Sequence, residues 1–118
     1  MNKVITLIDV QEKLFSQIYK KDELLENLAI LLKGANILDI AVIWMEQLPN
    51  KLGPTVSDLK QLMGNSSPII KNVFSCGASK EYNSFLGKTN ADEIILCGIE
   101  THVCIYQTAR DLLSSGKK

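Results

Sequence analysis

Four short runs of apolar, largely β-branched residues punctuate this 118-residue chain: VITLIDV (4–10), IAVIWMEQ (40–47), PIIKNVF (68–74) and EIILCGI (93–99). VITLIDV and IAVIWMEQ read as buried strands, the first covered on both faces, and PIIKNVF and EIILCGI read as a third and a fourth strand. The stretches between them carry helical spacing instead. Across 22–39, Leu24, Leu28, Leu31, Ala35 and Leu38 recur at three- and four-residue steps. Asp22, Glu23 and Glu26 gather at the N-terminal end of that helix, where its dipole favours them. Residues 48–64 begin as a loop holding Pro49, Gly53 and Pro54 and become a short helix from about Ser57. A further helix is expected over 79–88 with Ser79 as its N-cap, and another over 102–115, closed by Gly116. Strands alternating with helices predict an α/β fold, a central parallel sheet flanked by helices in three layers, and a single domain over 1–118.

Composition narrows the function classes. The 13 basic and 13 acidic residues cancel, which gives no footprint for a nucleic acid or a membrane surface. No apolar stretch is long enough to span a bilayer, and the N-terminal run meets Asp9 too early for a signal peptide. Cys76, Cys97 and Cys104 are odd in number and far from a paired spacing, which points to free thiols in a reducing, cytoplasmic setting. One histidine and no C-x-x-C argue against a Cys/His zinc site. D-V-Q-E follows the first strand where a dinucleotide site would place G-x-G-x-x-G, so no cofactor is expected.

In doubly wound sheets, ligands bind beyond the carboxyl ends of the strands, near the point where strand order reverses. Asp9, Gln47, the segment Lys71–Phe74 and the turn Gly98–Cys104 all fall at or just past those ends. Cys104 would sit in the first turn of a helix, where N–H groups favour a thiolate and can receive an oxyanion. A nucleophile also needs a proton acceptor. His102 is two positions away and points elsewhere on a helix turning about 100° per residue; Asp9, on the adjacent strand, is the better placed base, with Lys71 as a neighbouring cation. Each residue also has a plain structural reading. Cys104 could be a small buried thiol, Asp9 a loop cap, Lys71 a surface residue and His102 a helix terminus, while Cys76 and Cys97 read as structural. Only the three together on one sheet edge favour a catalytic site.

LIDVQEKLF (7–15), MEQLPNKLGPTVSDL (45–59), IIKNVFSCGAS (69–79) and ILCGIETHVCIYQTARDLL (95–113) resemble, in order, the signatures of the isochorismatase-like cysteine hydrolases. Within them the chain is most similar to the small isochorismatase-domain proteins. The resemblance implies a Rossmann-like fold and an Asp–Lys–Cys triad. Asp9 would be the general base, Lys71 would stabilise the ionised pair, and Cys104 would attack a carbonyl carbon. It further implies a cis peptide at Ile99–Glu100, an oxyanion hole drawing on Glu100 and Cys104, and pocket walls from Phe15, Gln47 and Phe74. The zinc-binding Asp/His set of the nicotinamidase branch has no counterpart, so no metal is expected. The family's domain continues past the helix after the cysteine, so this chain is expected to lack the last strands and helices.

The expected activity is metal-independent hydrolysis of a small-molecule amide or related bond, in a homo-oligomer. The alternative is a non-catalytic, oligomerising relative that keeps the fold without turnover. EIILCGI is too apolar for a comfortable exposed edge, which points to a partner covering that side.

Overall fold

The computed structural model describes residues 2–118. Four strands, β1 (Lys3–Ile8), β2 (Ala41–Gln47), β3 (Ile69–Lys71) and β4 (Glu93–Gly98), form one sheet in the order β3-β2-β1-β4, with every pairing parallel. The helices are α1 (Glu12–Phe15), α2 (Lys21–Ile37), α3 (Pro49–Leu52), α4 (Ser57–Lys60), α5 (Lys80–Thr89) and α6 (Tyr106–Ser114). A 3₁₀ turn at Gln61–Met63 extends α4, another at Cys76–Ala78 precedes α5, and a π-helical turn at Thr101–Ile105 leads into α6.

The unbroken apolar character of the strands has its reason in two cores. Ile8, Ile43, Met45 and Ile69 point to one face, with Tyr82, Leu86, Cys104 and Leu112. Leu7 and Trp44 point to the other, with Leu28, Leu32, Leu59 and Met63. Successive residues of a strand face opposite sides, so both parities must be apolar when both sides are covered. The result is three layers, α2 and α4 on one side of the sheet and α5 and α6 on the other. Thr6, the polar break in β1, is fully buried, and its hydroxyl is 2.9 Å from that of Tyr82.

The chain builds outward from β1 through β2 to β3, and α5 then returns it across the sheet to β4 on the far side of β1. Strand order therefore reverses between β1 and β4, and the crevice beyond their carboxyl ends is where this architecture binds ligands. Two strands end earlier than their apolar runs suggest. β1 stops at Ile8 rather than residue 10 because Asp9 adopts a left-handed backbone (φ 53°). β3 stops at Lys71 rather than residue 74 because Val73 and Phe74 turn their carbonyls back onto the Lys71 side chain. β4 is an edge strand, with Ile95 part-exposed. Lys118 lies along its outer side, donating its N–H to Asp92 O (2.9 Å) and accepting from Ile94 N–H (2.8 Å).

Gly98 shows why β1 and β4 can close at the crevice. Its φ is +119°, and a Cβ there would lie 2.1 Å from Ile8 O. Gly98→Ala is expected to destabilise the protein by at least about 2 kcal/mol. Gly34→Ala, in α2 with nothing within 4 Å of the added carbon, is expected to stabilise it by roughly 0.5–1 kcal/mol. Urea midpoints of the two variants against the wild type check both signs.

Candidate active site

Lys71 enters the crevice from β3, two strands away from β1, and its side chain is fully buried. Its Nζ donates to Asp9 Oδ2 (2.8 Å), Gln47 Oε1 (2.8 Å), Val73 O (3.0 Å) and Phe74 O (3.0 Å), and lies 3.6 Å from Cys104 Sγ. Four oxygens and a sulfur surround an ammonium with three N–H donors, so the donors are shared among them. They come from the tips of β1 and β2, the turn after β3 and the π-helical turn, so the lysine ties four segments at one point.

Asp9 is fully buried and hydrogen-bonds Lys71 through Oδ2 alone; its Oδ1 is a buried oxygen with no hydrogen-bond partner. Burial pushes its carboxyl above the usual range, against the pull of the Lys71 charge and hydrogen bond and of the Cys104 thiol. Buried Glu46 adds a small upward push. A carboxylate raised in this way is a stronger base than a solvated one.

The Cys104 thiol is pushed up to about 12, first by burial and then by the adjacent Asp9 carboxylate, with Lys71 opposing. This reverses the lowered thiol pKa expected from a helix start. The π-helical turn holds the sulfur in the core on the α5–α6 side, and the nearest anion outweighs the nearest cation. Cys104 therefore rests as a protonated thiol. Cys104 itself is 7% exposed. Cys76, at about 11, and Cys97, at about 12, are raised chiefly by burial.

The other expected site residues divide. The Ile99–Glu100 peptide is cis. The Ile99 N–H is committed to Ile8 O (2.9 Å) and cannot serve an oxyanion, whereas the Glu100 N–H has no partner among the described residues. Gln47 is occupied with Lys71. Phe15 packs, partly buried, on the α2-side core, and Phe74 is 56% exposed. His102 is exposed in the π-helical turn.

Gln11 is the positioning residue that sequence reasoning left unused. Fully buried, it accepts from Gln47 N–H (2.7 Å) and donates to Gln47 O and Gly53 O (both 2.8 Å), which fixes the tip of β2 and the following loop. Glu46 pins the same loop by accepting from Thr55 N–H (2.8 Å) and the Thr55 hydroxyl (2.7 Å). The signal available in the sequence was a glutamine directly after a buried strand, where the loop backbone must find partners.

Residues 3–118 match the isochorismatase domain family. The chain belongs to the isochorismatase family. It is 38% identical to isochorismatase domain-containing protein 2 of Danio rerio over 113 residues, 96% of this chain and 56% of that protein. The Homo sapiens protein of the same name is 34% identical over 117 residues, 98% of this chain and 55% of that one. This isochorismatase-family chain thus spans a little over half the length of those relatives. Among solved structures it resembles one described as the MAR1 ribonuclease of Caenorhabditis elegans, with TM-score 0.89, 37% identity and coverage of 99% of this chain and 60% of that one. The YcaC gene product of Escherichia coli, described as an octameric hydrolase of unknown specificity, shares the fold, with TM-score 0.93 and 20% identity over 99% of this chain and 59% of that one.

Removing the ammonium leaves a buried carboxylate without its counter-charge, which typically costs roughly 3–5 kcal/mol, so Lys71→Met is expected to lose about that much at neutral pH. A carboxyl raised above its unfolded value contributes stability that is full below the unfolded pKa of about 4 and lost as pH rises through the folded value. In Lys71→Met that folded value rises further, so the deficit against wild type should be smaller in mild acid than at neutral pH. Urea unfolding at the two pH values checks this, and an equal deficit at both would count against a charged Asp9–Lys71 pair.

Proposed function

We propose that this isochorismatase-family chain is a cysteine hydrolase that cleaves a small-molecule amide or related bond without a metal. The observation that carries the reading is the free oxygen of buried Asp9, held in a cluster that also contains Lys71 and the Cys104 sulfur. In the proposed reaction Asp9 takes the thiol proton as sulfur bonds to the carbonyl carbon. The carbonyl oxygen becomes an oxyanion received by the N–H groups of Glu100 and Cys104. The carbon–nitrogen bond then breaks, the amine leaves with the proton from Asp9, and the acyl group stays on Cys104 as a thioester. Water attacks that thioester, giving up a proton to Asp9, and the carboxylic acid departs as the thiol is re-formed. Lys71 holds Asp9 in place and offsets the charge that passes between oxygen and sulfur.

Cys104 is only 7% exposed, which favours a small substrate. The worm relative is described as a ribonuclease. For this chain, a formal charge of zero and a nearly buried thiol favour a small molecule over a polyanion. The mechanism uses no metal, and among the described residues no three His, Cys, Asp or Glu side chains gather as a metal site. The same proposal includes a homo-oligomer. The E. coli neighbour is described as octameric, and Phe74, Tyr106 and Leu113 of this chain are each more than half exposed.

Acrylamide is a suitable probe, being a small amide whose β-carbon bonds to a thiolate while its α-carbon takes up the proton. Wild type should add one equivalent at Cys104, read by peptide mass spectrometry, with Cys76 and Cys97 untouched. Asp9→Asn and Cys104→Ala should lose that adduct while remaining folded. Labelling should fall as pH drops through the raised value of Asp9, because the base is then protonated. Equal labelling of wild type and both variants would remove the nucleophile and leave the non-catalytic alternative.

A further inference from the structure

The cradle around Lys71 is itself held from outside. Phe74 O, one of its four oxygen ligands, belongs to the planar peptide unit whose nitrogen is Ser75. Ser75 is 5% exposed, and its hydroxyl donates to Asp111 Oδ2 at 2.6 Å while accepting from Gly77 N–H at 3.0 Å. Gln107 O lies farther from the same hydroxyl, at 3.3 Å, so its single proton goes to the carboxylate. The next residue, Cys76, donates its N–H to the hydroxyl of fully buried Thr108 at 2.9 Å. Turn and helix touch so closely that a Cβ on Gly77 would lie 2.7 Å from Asp111 Cβ.

Cys104, Thr108 and Asp111 stand at i, i+4 and i+7, which is one stripe of a helix. The first member is the candidate nucleophile, and the other two grip the turn that carries two of the Lys71 ligands. Among the described residues neither Thr108 nor Asp111 hydrogen-bonds the sulfur, the Asp9 carboxylate or Lys71. Their side-chain hydrogen bonds go to Ser75 and Cys76, one and two residues beyond Phe74.

We propose that Asp111 and Thr108, acting through Ser75 and Cys76, are positioning residues that set the Lys71 ammonium against Asp9 and Cys104. The inference rests on the cysteine-hydrolase reading. It adds a latch between α6 and the turn after β3, through which the helix bearing the nucleophile also sets the place of the cation. Loss of the latch lets the Val73 and Phe74 carbonyls drift, Lys71 follows them, and Asp9 loses part of the charge that holds it ionised.

The test is the rate of acrylamide addition to Cys104 across the acid and neutral range, in wild type, Asp111→Ala, Asp111→Asn and Ser75→Ala. Asp111→Ala should slow addition at saturating acrylamide by about ten- to a hundred-fold, the scale of a small misplacement at a reacting centre. It should also move the acid limb to higher pH. Ser75→Ala, which removes the donor from the other side, should move the limb the same way. Asp111→Asn keeps an oxygen that accepts from Ser75 and should restore both rate and limb. A residue that only stabilised the fold would lower the melting temperature and leave the limb where it was. A limb unmoved in Asp111→Ala and Ser75→Ala, or an Asn variant as slow as the Ala variant, overturns the latch while the nucleophile stands. A wild type that does not label at Cys104 overturns the nucleophile, and the latch falls with it.

Discussion

A lysine nitrogen in a dry interior is a demanding object. Its charge is costly to bury unless oxygen atoms surround it, and in this chain no single segment supplies enough of them. Asp9 comes from the tip of β1, Gln47 from the tip of β2, and two carbonyls from the turn after β3. Each donor element pays for the arrangement with an irregular backbone. Asp9 and Leu48 are both left-handed, and β3 is cut to three residues. The shape of the sheet's carboxyl edge follows from satisfying that one ammonium.

Around this centre the network widens in rings. Gln11 holds the backbone of Gln47 on both its N–H and its carbonyl. Glu46 and Thr55 hold the loop beyond, and the indole of Trp44 closes onto the Thr55 hydroxyl at 2.8 Å. On the other side the turn after β3 leans on α6. Strand order matters to all of this. Because β4 lies next to β1 rather than next to β3, the cysteine-bearing turn arrives beside Asp9, and Lys71 has to reach across β2 to meet both.

The layers were legible in the sequence because both-sided burial leaves an unmistakable mark. VITLI and AVIW cannot tolerate a polar face, and they read as interior strands without help. Asp9, Lys71 and Cys104 were legible as a group because a parallel sheet delivers every strand end to one edge. Other features left no such mark. Val10 and Val73 continue their runs in composition beyond Asp9 and Lys71, so the apolar pattern alone overran the ends of β1 and β3. Gln47 read as a pocket wall because its place at a strand end says nothing about whether its amide faces a ligand or a lysine. Thr108 and Asp111 looked like ordinary helix residues, since their partners lie more than thirty residues away. A helix start alone predicts a lowered Cys104 thiol, but burial and the adjacent carboxylate raise it.

A protonated Cys104 sulfur also bears on redox chemistry. Peroxide and other soft oxidants attack thiolate rather than thiol, and the climb from sulfenic to sulfonic acid begins at that step. A sulfur kept neutral by burial and then by Asp9 offers little thiolate for that first step. A catalytic cysteine with a permanently lowered pKa trades this protection for readiness. Here burial and Asp9 together keep the thiol neutral, so the carboxylate proposed to arm the sulfur is also one of the groups that would guard it.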